Sequence, residues 1–345
     1  MAGNGQYNVA ILGATGAVGQ ELISLLEERR FPCKSLRLLA SPRSAGRAIR
    51  VLDHELRVEA VSESSFDGVD IAFFSAGGSV SKEYAPLAVA RGATVIDNTS
   101  AFRMDADVPL VVPEVNPEKI REHKGIIANP NCSTIIMVVV LWPIHRAARI
   151  RRIVVSTYQA VSGAGARAMR ELEDQVRAFA AGEKLPVQVL PLASAPLHHQ
   201  IAFNVIPQVD VFSDGGYTKE EWKMVNETRK ILGDPEMAVT ATTVRVPVFR
   251  CHSESINIET ERRLSARDVR EVLAQAEGVQ VLDEPGLMRY PMPLELAGTD
   301  PVFVGRIRED NSHERGINLW VAGDQIRKGA ALNAIQIAER LVRGV

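Results

Sequence analysis

The chain has 345 residues, enough for two hydrophobic cores, and its 46% hydrophobic and 24% charged content is that of an ordinary soluble globular protein. Its formal net charge of −2 at pH 7 provides no global basic field for nucleic acid or anionic lipid, so an anionic ligand must be met by a few local cations. Three cysteines, Cys33, Cys132 and Cys251, form an odd set without framework spacing, which argues for a reducing, cytoplasmic setting and no disulfide scaffold.

The opening segment is a short polar lead into a strand, without a charged-then-apolar signal region. Asn8 to Leu12 reads as the first strand, followed by Val18, Leu22, Leu25 and Leu26 at helical spacing. Leu36–Leu39, Ile71–Phe74, Thr94–Ile96 and Gly125–Ala128 read as further buried strands, each followed by a turn-rich segment. Near-continuous apolar strands alternating with helices predict a parallel sheet covered on both faces. The longest apolar run, Ile135 to Trp142, stops at Pro143 and is far short of the ~20 residues of a membrane span, so it reads as a buried helix.

Beyond residue 150 the pattern changes. Segments 151–161, 201–212, 238–250, 253–260, 302–308 and 316–322 are strand-like, with helices at about 165–181, 218–232 and 266–276. Fewer helices between strands predict a mixed or antiparallel sheet, and Pro247 puts its run at an edge or bulge. Gly329 to Val342 has helical periodicity and could pack back on the first domain. The expected architecture is α/β: a Rossmann-like doubly wound parallel sheet over 1–130, completed by 326–345, and an α+β domain of mixed sheet over 131–325.

Strand one runs into Gly13-Ala14-Thr15-Gly16-Ala17-Val18-Gly19, a G-x-x-G-x-x-G variant of the dinucleotide fingerprint. Glycines allow a tight turn and close backbone approach to a pyrophosphate, and the following helix presents free N–H groups to that anion. A glycine triplet alone also suits a structural turn; its place after a clean strand favours a cofactor. The end of strand two selects which one. An NAD enzyme places an acid there, whereas this chain has Ser41-Pro42-Arg43-Ser44. A guanidinium pairs bidentately with a 2′-phosphate and serine hydroxyls add donors, so NADP is expected, with a solvated loop arginine as the alternative.

Asn129-Pro130-Asn131-Cys132-Ser133-Thr134 precedes the apolar helix. Pro130 favours extended backbone before it, Asn131 is a candidate N-cap, and Cys132 falls in the first helical turn. There the helix dipole and free N–H groups lower a thiol pKa from ~8.5, against the alternative of a buried structural cysteine. Cys33, after Phe31-Pro32 in an expected loop, has no such setting. Thr218-x-x-Glu221 reads as a capping box, leaving Glu220 and Lys223 on neighbouring parts of one helical face; by itself such a pair reads as a surface salt bridge. The adjacent His198 and His199 suit no zinc-ligand spacing, and no metal is expected.

Taken together, "GATGAVG", "NTSAFR", "NPNCSTI", "TYQAVSGAG", "HHQIAFNVIPQVD", "EEWKMVNETRKI" and "CHSESINIE" resemble the bacterial aspartate-semialdehyde dehydrogenases, in order and over nearly the whole chain. The resemblance implies reversible reductive dephosphorylation of L-aspartyl-4-phosphate by NADPH, giving aspartate 4-semialdehyde and phosphate. Such a step belongs to lysine, diaminopimelate, threonine and methionine biosynthesis. It implies Cys132 as the nucleophile that forms a thioester, His252 as acid/base and Gln159 as the residue that positions substrate and intermediate. From spacing alone His252 reads as a structural histidine, and Gln159 remains open as a core amide. The resemblance further implies Arg245 on the substrate carboxylate, Glu220 on its ammonium, and Arg103, Lys223 and Asn131 on phosphate. Ser75, Ala76, Ser162, Gly163 and Gln325 are implied as additional cofactor contacts, and a homodimer through the second domain's sheet as the assembly, with neither nucleic acid nor membrane as partner. Two alternatives stand beside it. An N-acetyl-γ-glutamyl-phosphate reductase has no free substrate ammonium and would leave Glu220 without a purpose. A silent dinucleotide-binding homologue would have no reason to keep Cys132, Gln159, Arg245 and His252 together.

Overall fold

The computed structural model describes residues 6–51 and 54–344. The chain divides into two compact units, Met1–Asn131 with Gly329–Val345, and Cys132–Lys328.

The first unit is built on a six-stranded parallel sheet. Its elements are β1 (Tyr7–Leu12), α1 (Ala17–Glu28), β2 (Cys33–Ala40), a small hairpin of β3 (Ala48–Val51) and β4 (His54–Arg57), β5 (Glu59–Ala60), β6 (Ile71–Phe74), α2 (Gly78–Ala90), β7 (Thr94–Asp97) and β8 (Ile126–Ala128). The sheet order is β5-β2-β1-β6-β7-β8, with the order reversing beside β1. Strand alternation sends Ile11 to one buried face and Ala10 and Leu12 to the other. Leu22 and Leu25 of α1 share the first face with Ile335 and Ala338 near the C-terminus, while Phe66, Ala85 and Ala88 cover the second. Both faces are therefore dry, as a parallel sheet requires. Two expectations change here. Cys33 opens β2 rather than lying in a loop, and the segment after β6 is a helix, α2, despite Pro86 inside it. Its low apolar periodicity hid it.

The second unit opens with α3 (Cys132–Ala148), in which seven consecutive side chains from Ile135 to Leu141 are buried. A helix apolar all round must be enclosed, and each large aliphatic side chain so buried contributes ~1.5–3 kcal/mol. That burial explains a third correction: Pro143 does not stop the helix, which continues to Ala148. The lost bond and ring clash cost about 3 kcal/mol, less than the enclosed face contributes.

After α3 come β9 (Ile150–Gln159), α4 (Ala166–Ala181), α5 (Lys219–Leu232), β10 (Ala238–Arg245), β11 (His252–Thr260), α6 (Ala266–Ala274), β12 (Val279–Val281), the single turn α7 (Pro293–Leu296), β13 (Val302–Glu309) and β14 (Gly316–Gly323). The strands form one mixed sheet in the order β10-β9-β11-β14-β13-β12. Segment 201–212 is not a strand; it is a loop that meets the sheet at the bridge Ile206–Arg245. Pro247 lies past the end of β10, which is the edge strand. Helix α8 (Leu332–Arg343), preceded by a π-turn over Arg327–Ala331, ends the described chain. Among the described residues no helix is long and apolar enough to cross a membrane.

The inward face of the second sheet is layered by register. Val155, Ala241, Ile256 and Leu319 are aligned across four strands and all buried. The next row up is Thr243, Thr157, Glu254 and Val321. Above it Arg245 pairs with Gln159 and His252 with Gly323, and the β9–β11 register carried one step further brings His252 beside Gln159. Chain positions far apart thus converge on one buried polar row.

Candidate active site

At the first unit's β1–α1 turn, Gly13 has φ +99° and any Cβ there would stand 2.6 Å from the Ser75 carbonyl oxygen. A Cβ on Gly19 would meet the Gly13 oxygen at 2.2 Å, so this glycine lets α1 seat against the turn. Gly16 N–H closes the turn onto the Gly13 oxygen at 3.0 Å and Gly16 caps α1, leaving Ala17 and Val18 in its first turn. Ser75 N–H is bonded to the Leu12 oxygen, which sets Ser75 and Ala76 directly against Gly13. Here the glycine cradle and free helix N-terminus have the form a pyrophosphate needs. Beyond β2, Ser41 caps a 3₁₀ turn over Pro42–Ser44. Arg43 is exposed and has no hydrogen bond or ion pair among the described residues, and no acid occupies the strand's end. Thr15 lies within the turn. Arg103, expected on phosphate, is buried in this unit with Nε on the Asn129 oxygen and Nη2 on the Asn98 oxygen, both at 2.9 Å. Asn131, also buried, is the last residue before α3.

In the second unit, Cys132 is the first residue of α3 and Arg245, the last residue of β10, lies within reach of its charge. Arg245, Gln159 and His252 are 4%, 2% and 0% exposed. Arg245 donates from Nη1 to the Ala160 oxygen at 2.8 Å, and its backbone is locked to Ile206 by reciprocal bonds. Burial lowers its pKa, against the attraction of Glu220 and the Cys132 sulfur. The guanidinium stays charged in any case. His252 accepts the Ala160 N–H on Nδ1 at 3.0 Å. Its pKa is pushed well below the usual histidine range by burial and by the Arg245 charge. Among the described residues neither His252 Nε2 nor Arg245 Nε has a hydrogen-bond partner. Buried polar atoms are rarely left so.

The turn Val161–Ala164 closes over these groups, held by Val161 N–H to the Val248 oxygen and Ser162 N–H to the Phe249 oxygen. A Cβ on Gly163 would stand 2.8 Å from Arg245 Nη1 and 3.4 Å from His252 Nε2. Gly163 therefore lets the turn close against both groups without a clash. Gln325 donates to Ser162 Oγ and accepts the Cys251 N–H at 2.8 Å, fixing the residue before His252. Cys251 has φ +77°, unusual outside glycine, and burial beside Asp324 pushes its thiol up to about 12. That thiol is inert near neutrality.

The Thr218 capping box forms, and Glu221 continues from it to bond the Thr243 N–H at 2.9 Å, tying the start of α5 to β10. This seats Glu220, 5% exposed, with one carboxylate oxygen 3.2 Å from Gln159 Nε2 and the other 3.1 Å from Lys223 Nζ. The pair is thus part of the polar row rather than an exposed salt bridge. Burial alone would lower the Lys223 ammonium, but Glu220 and Asp210 outweigh it and hold it above the usual range.

Asp210, 2.8 Å from Lys223 Nζ, enters the sequence reading only as the end of a motif, without a role. Asp324, which accepts from Arg250 Nε and three backbone N–H groups to hold the turn after β14, carried no signal in the sequence. Glu254 was read only as part of a motif, yet it is fully buried and neither carboxyl oxygen has a partner among the described residues. Burial raises its pKa well above the usual carboxylate range. Among the described residues no cluster of three His, Cys, Asp or Glu is placed to hold a metal ion.

Comparison with known proteins identifies the family. Residues 8–123 match the semialdehyde dehydrogenase NAD binding domain, and residues 141–328 the semialdehyde dehydrogenase dimerisation domain. The aspartate-semialdehyde dehydrogenase of Aquifex aeolicus is 56% identical over 341 residues, covering 98% of both chains. This chain belongs to the aspartate-semialdehyde dehydrogenase family. The crystal structure of aspartate semialdehyde dehydrogenase II from Vibrio cholerae complexed with ASA has TM-score 0.93 at 50% identity, covering 98% of this chain and 99% of that one. A Candida albicans aspartate semialdehyde dehydrogenase with NADP has TM-score 0.72 at 27% identity over 98% of each chain. The family carries the same two-part architecture of nucleotide-binding and dimerisation units.

Proposed function

We propose that this protein is an NADPH-dependent, phosphorylating aspartate-semialdehyde dehydrogenase, reducing L-aspartyl-4-phosphate to aspartate 4-semialdehyde and phosphate through a thioester on Cys132. The observation that carries this reading is the buried row of Arg245, Gln159 and His252, with Arg245 close to the sulfur that opens α3. The likeness to relatives bearing that name supports the substrate.

The Cys132 thiolate attacks the acyl phosphate carbonyl, its charge favoured by the N-terminus of α3 and the Arg245 guanidinium. N–H groups at the start of α3 serve the developing oxyanion, and His252 serves as the acid/base. Gln159, anchored by Glu220, orients the carbonyl. Arg245 holds the substrate carboxylate in a bidentate manner, Glu220 holds its ammonium, and Lys223, Arg103 and Asn131 take phosphate. Lys223 already has two carboxylate neighbours, so phosphate exchanges with one of them rather than meeting an idle cation. NADPH supplies the hydride that converts the thioester to aldehyde. Gly13, Thr15, Gly16, Ala17, Val18 and Gly19 cradle its pyrophosphate, and Ser41, Arg43 and Ser44 its 2′-phosphate, the partnerless Arg43 being the support for NADP over NAD. Ser75, Ala76, Ser162, Gly163 and Gln325 contribute further contacts. The matched dimerisation domain supports a homodimer.

The test is NADPH formation from aspartate semialdehyde with and without phosphate, beside Cys132→Ala. Phosphate-dependent turnover lost in the variant is expected. Turnover only on N-acetylglutamate semialdehyde, or on neither, would overturn the proposal.

A further inference from the structure

Resting on the proposed function, we propose that a buried head-to-tail chain of asparagines, Asn333 to Asn129 to Asn98, positions Arg103 for phosphate, which gives the last helix of the chain a part in setting phosphate affinity. Asn333 stands outside every sequence motif named above and is fully buried at the start of α8. Its Nδ2 donates to Asn129 Oδ1 at 2.7 Å, and Asn129 Nδ2 donates to Asn98 Oδ1 at 3.0 Å. Asn98 Nδ2 ends the chain on the Phe74 oxygen at 3.1 Å.

The direction of this chain is fixed at every link. A backbone carbonyl oxygen only accepts, so a side-chain amide facing one must present its nitrogen. Asn333 also faces the Val111 oxygen at 3.0 Å, Asn129 the Ala330 oxygen at 3.3 Å, and Asn98 the Phe74 oxygen. Each carboxamide is thus oriented on its own, and the three orientations agree. Asn129, 1% exposed, is the pivot. Turned over, its oxygen would confront two acceptors and its nitrogen a donor.

The chain crosses the carboxyl ends of β6, β7 and β8, the edge at which open parallel sheets hold their ligands. Phe74 ends β6, Asn98 follows β7 and Asn129 follows β8. Arg103 spans the last two, with Nε on the Asn129 oxygen and Nη2 on the Asn98 oxygen, both at 2.9 Å. Those two nitrogens form one edge of the planar guanidinium, so the two carbonyls together set its plane and the direction of its far side. The side-chain bond between Asn129 and Asn98 ties these carbonyls to each other, and Asn333 holds Asn129 in turn. Apolar side chains of similar size would fill the same volume but leave the two carbonyls to shift independently. A planar donor that recognises phosphate loses affinity when its direction drifts.

The test is Asn333→Leu in the full-length protein, which keeps the volume and removes the donor. Asn333→Ser, whose shorter hydroxyl falls short of Asn129, serves should the first variant not fold. In aspartate semialdehyde oxidation the phosphate KM should rise about 10-fold, while the KM values for NADP and aldehyde, and kcat at saturating phosphate, stay within about two-fold. A merely structural asparagine would lower thermal stability and leave the phosphate KM in place. That outcome, or an equal rise in all three KM values, would sink the proposal. A second readout needs no turnover: phenylglyoxal labelling of Arg103, followed by peptide mapping, should be several-fold faster in the variant. Labelling at the wild-type rate would count equally against the asparagine chain. Wild-type protein without phosphate-dependent turnover would strike the assigned activity instead, and the labelling rate would still decide whether the asparagines hold Arg103.

Discussion

The candidate sites of the two units are built from different materials. In the first unit the nucleotide end is backbone: a glycine at φ +99°, a second glycine packed under a helix, and the free N–H groups of α1. In the second unit the thiol end is side chain, assembled from the ends of β9, β10 and β11 and the start of α3 and α5. Backbone sites are encoded by contiguous residues, because a turn is local. Side-chain sites are encoded by register, because strands far apart in sequence must align before Arg245, Gln159 and His252 meet. The same contrast governs sensitivity: a substitution at the first end acts through shape, and at the second through charge and proton placement.

The largest effect should come from Cys132→Ala, which removes the nucleophile and should lower kcat by at least ~10⁴-fold. Thermal unfolding should change little, since the thiol adds little to the core. Retained turnover in steady-state assays would place the chemistry elsewhere. Gly163→Ala comes next. Its Cβ would press on Arg245 Nη1 at 2.8 Å and crowd His252, so kcat/KM should fall about 10- to 100-fold with global stability preserved. An unaffected enzyme would show that the Val161–Ala164 turn does not set this geometry.

Arg43→Glu tests the other end. Losing charge-assisted bonds of ~1.5–3 kcal/mol should raise the NADPH KM about 10- to 100-fold and leave the NADH KM nearly unchanged. Equal changes for both cofactors would remove Arg43 from cofactor choice. Glu254→Gln should have the smallest effect on turnover and a distinct effect on stability. A carboxyl whose folded pKa is raised binds its proton in the native state, so its contribution is full below the unfolded pKa of ~4.3 and is lost as pH rises toward the folded value. The loss runs at about 1.4 kcal/mol per pH unit across that window. Removing the titration should raise Tm at pH 8 more than at pH 5. Parallel Tm curves for the two proteins would mean that Glu254 ionises normally.

Legibility followed the same division. The strand–glycine–helix unit was readable from period and spacing, and so was the Thr218–Glu221 capping box, because each is specified within a few residues. Helix α2 was hidden by weak amphipathicity, and the loop over 201–212 passed for a strand because apolar residues covering a surface mimic an edge. The proposed roles of His252 and Gln159 come only through family resemblance; neither neighbouring residues nor spacing distinguishes them from satisfied core groups. Ala160, whose peptide N–H bonds His252 Nδ1, and Asp210, which holds Lys223, fall inside motifs that say nothing of those contacts. Their significance is tertiary.

One experiment tests the central claim most directly. The protein is incubated with aspartate semialdehyde and NADP without phosphate, quenched in acid, and peptide-mapped by mass spectrometry. An aspartyl thioester on the peptide bearing Cys132, discharged when phosphate is added before the quench, is the predicted result. No adduct, or one that persists in Cys132→Ala, would contradict it.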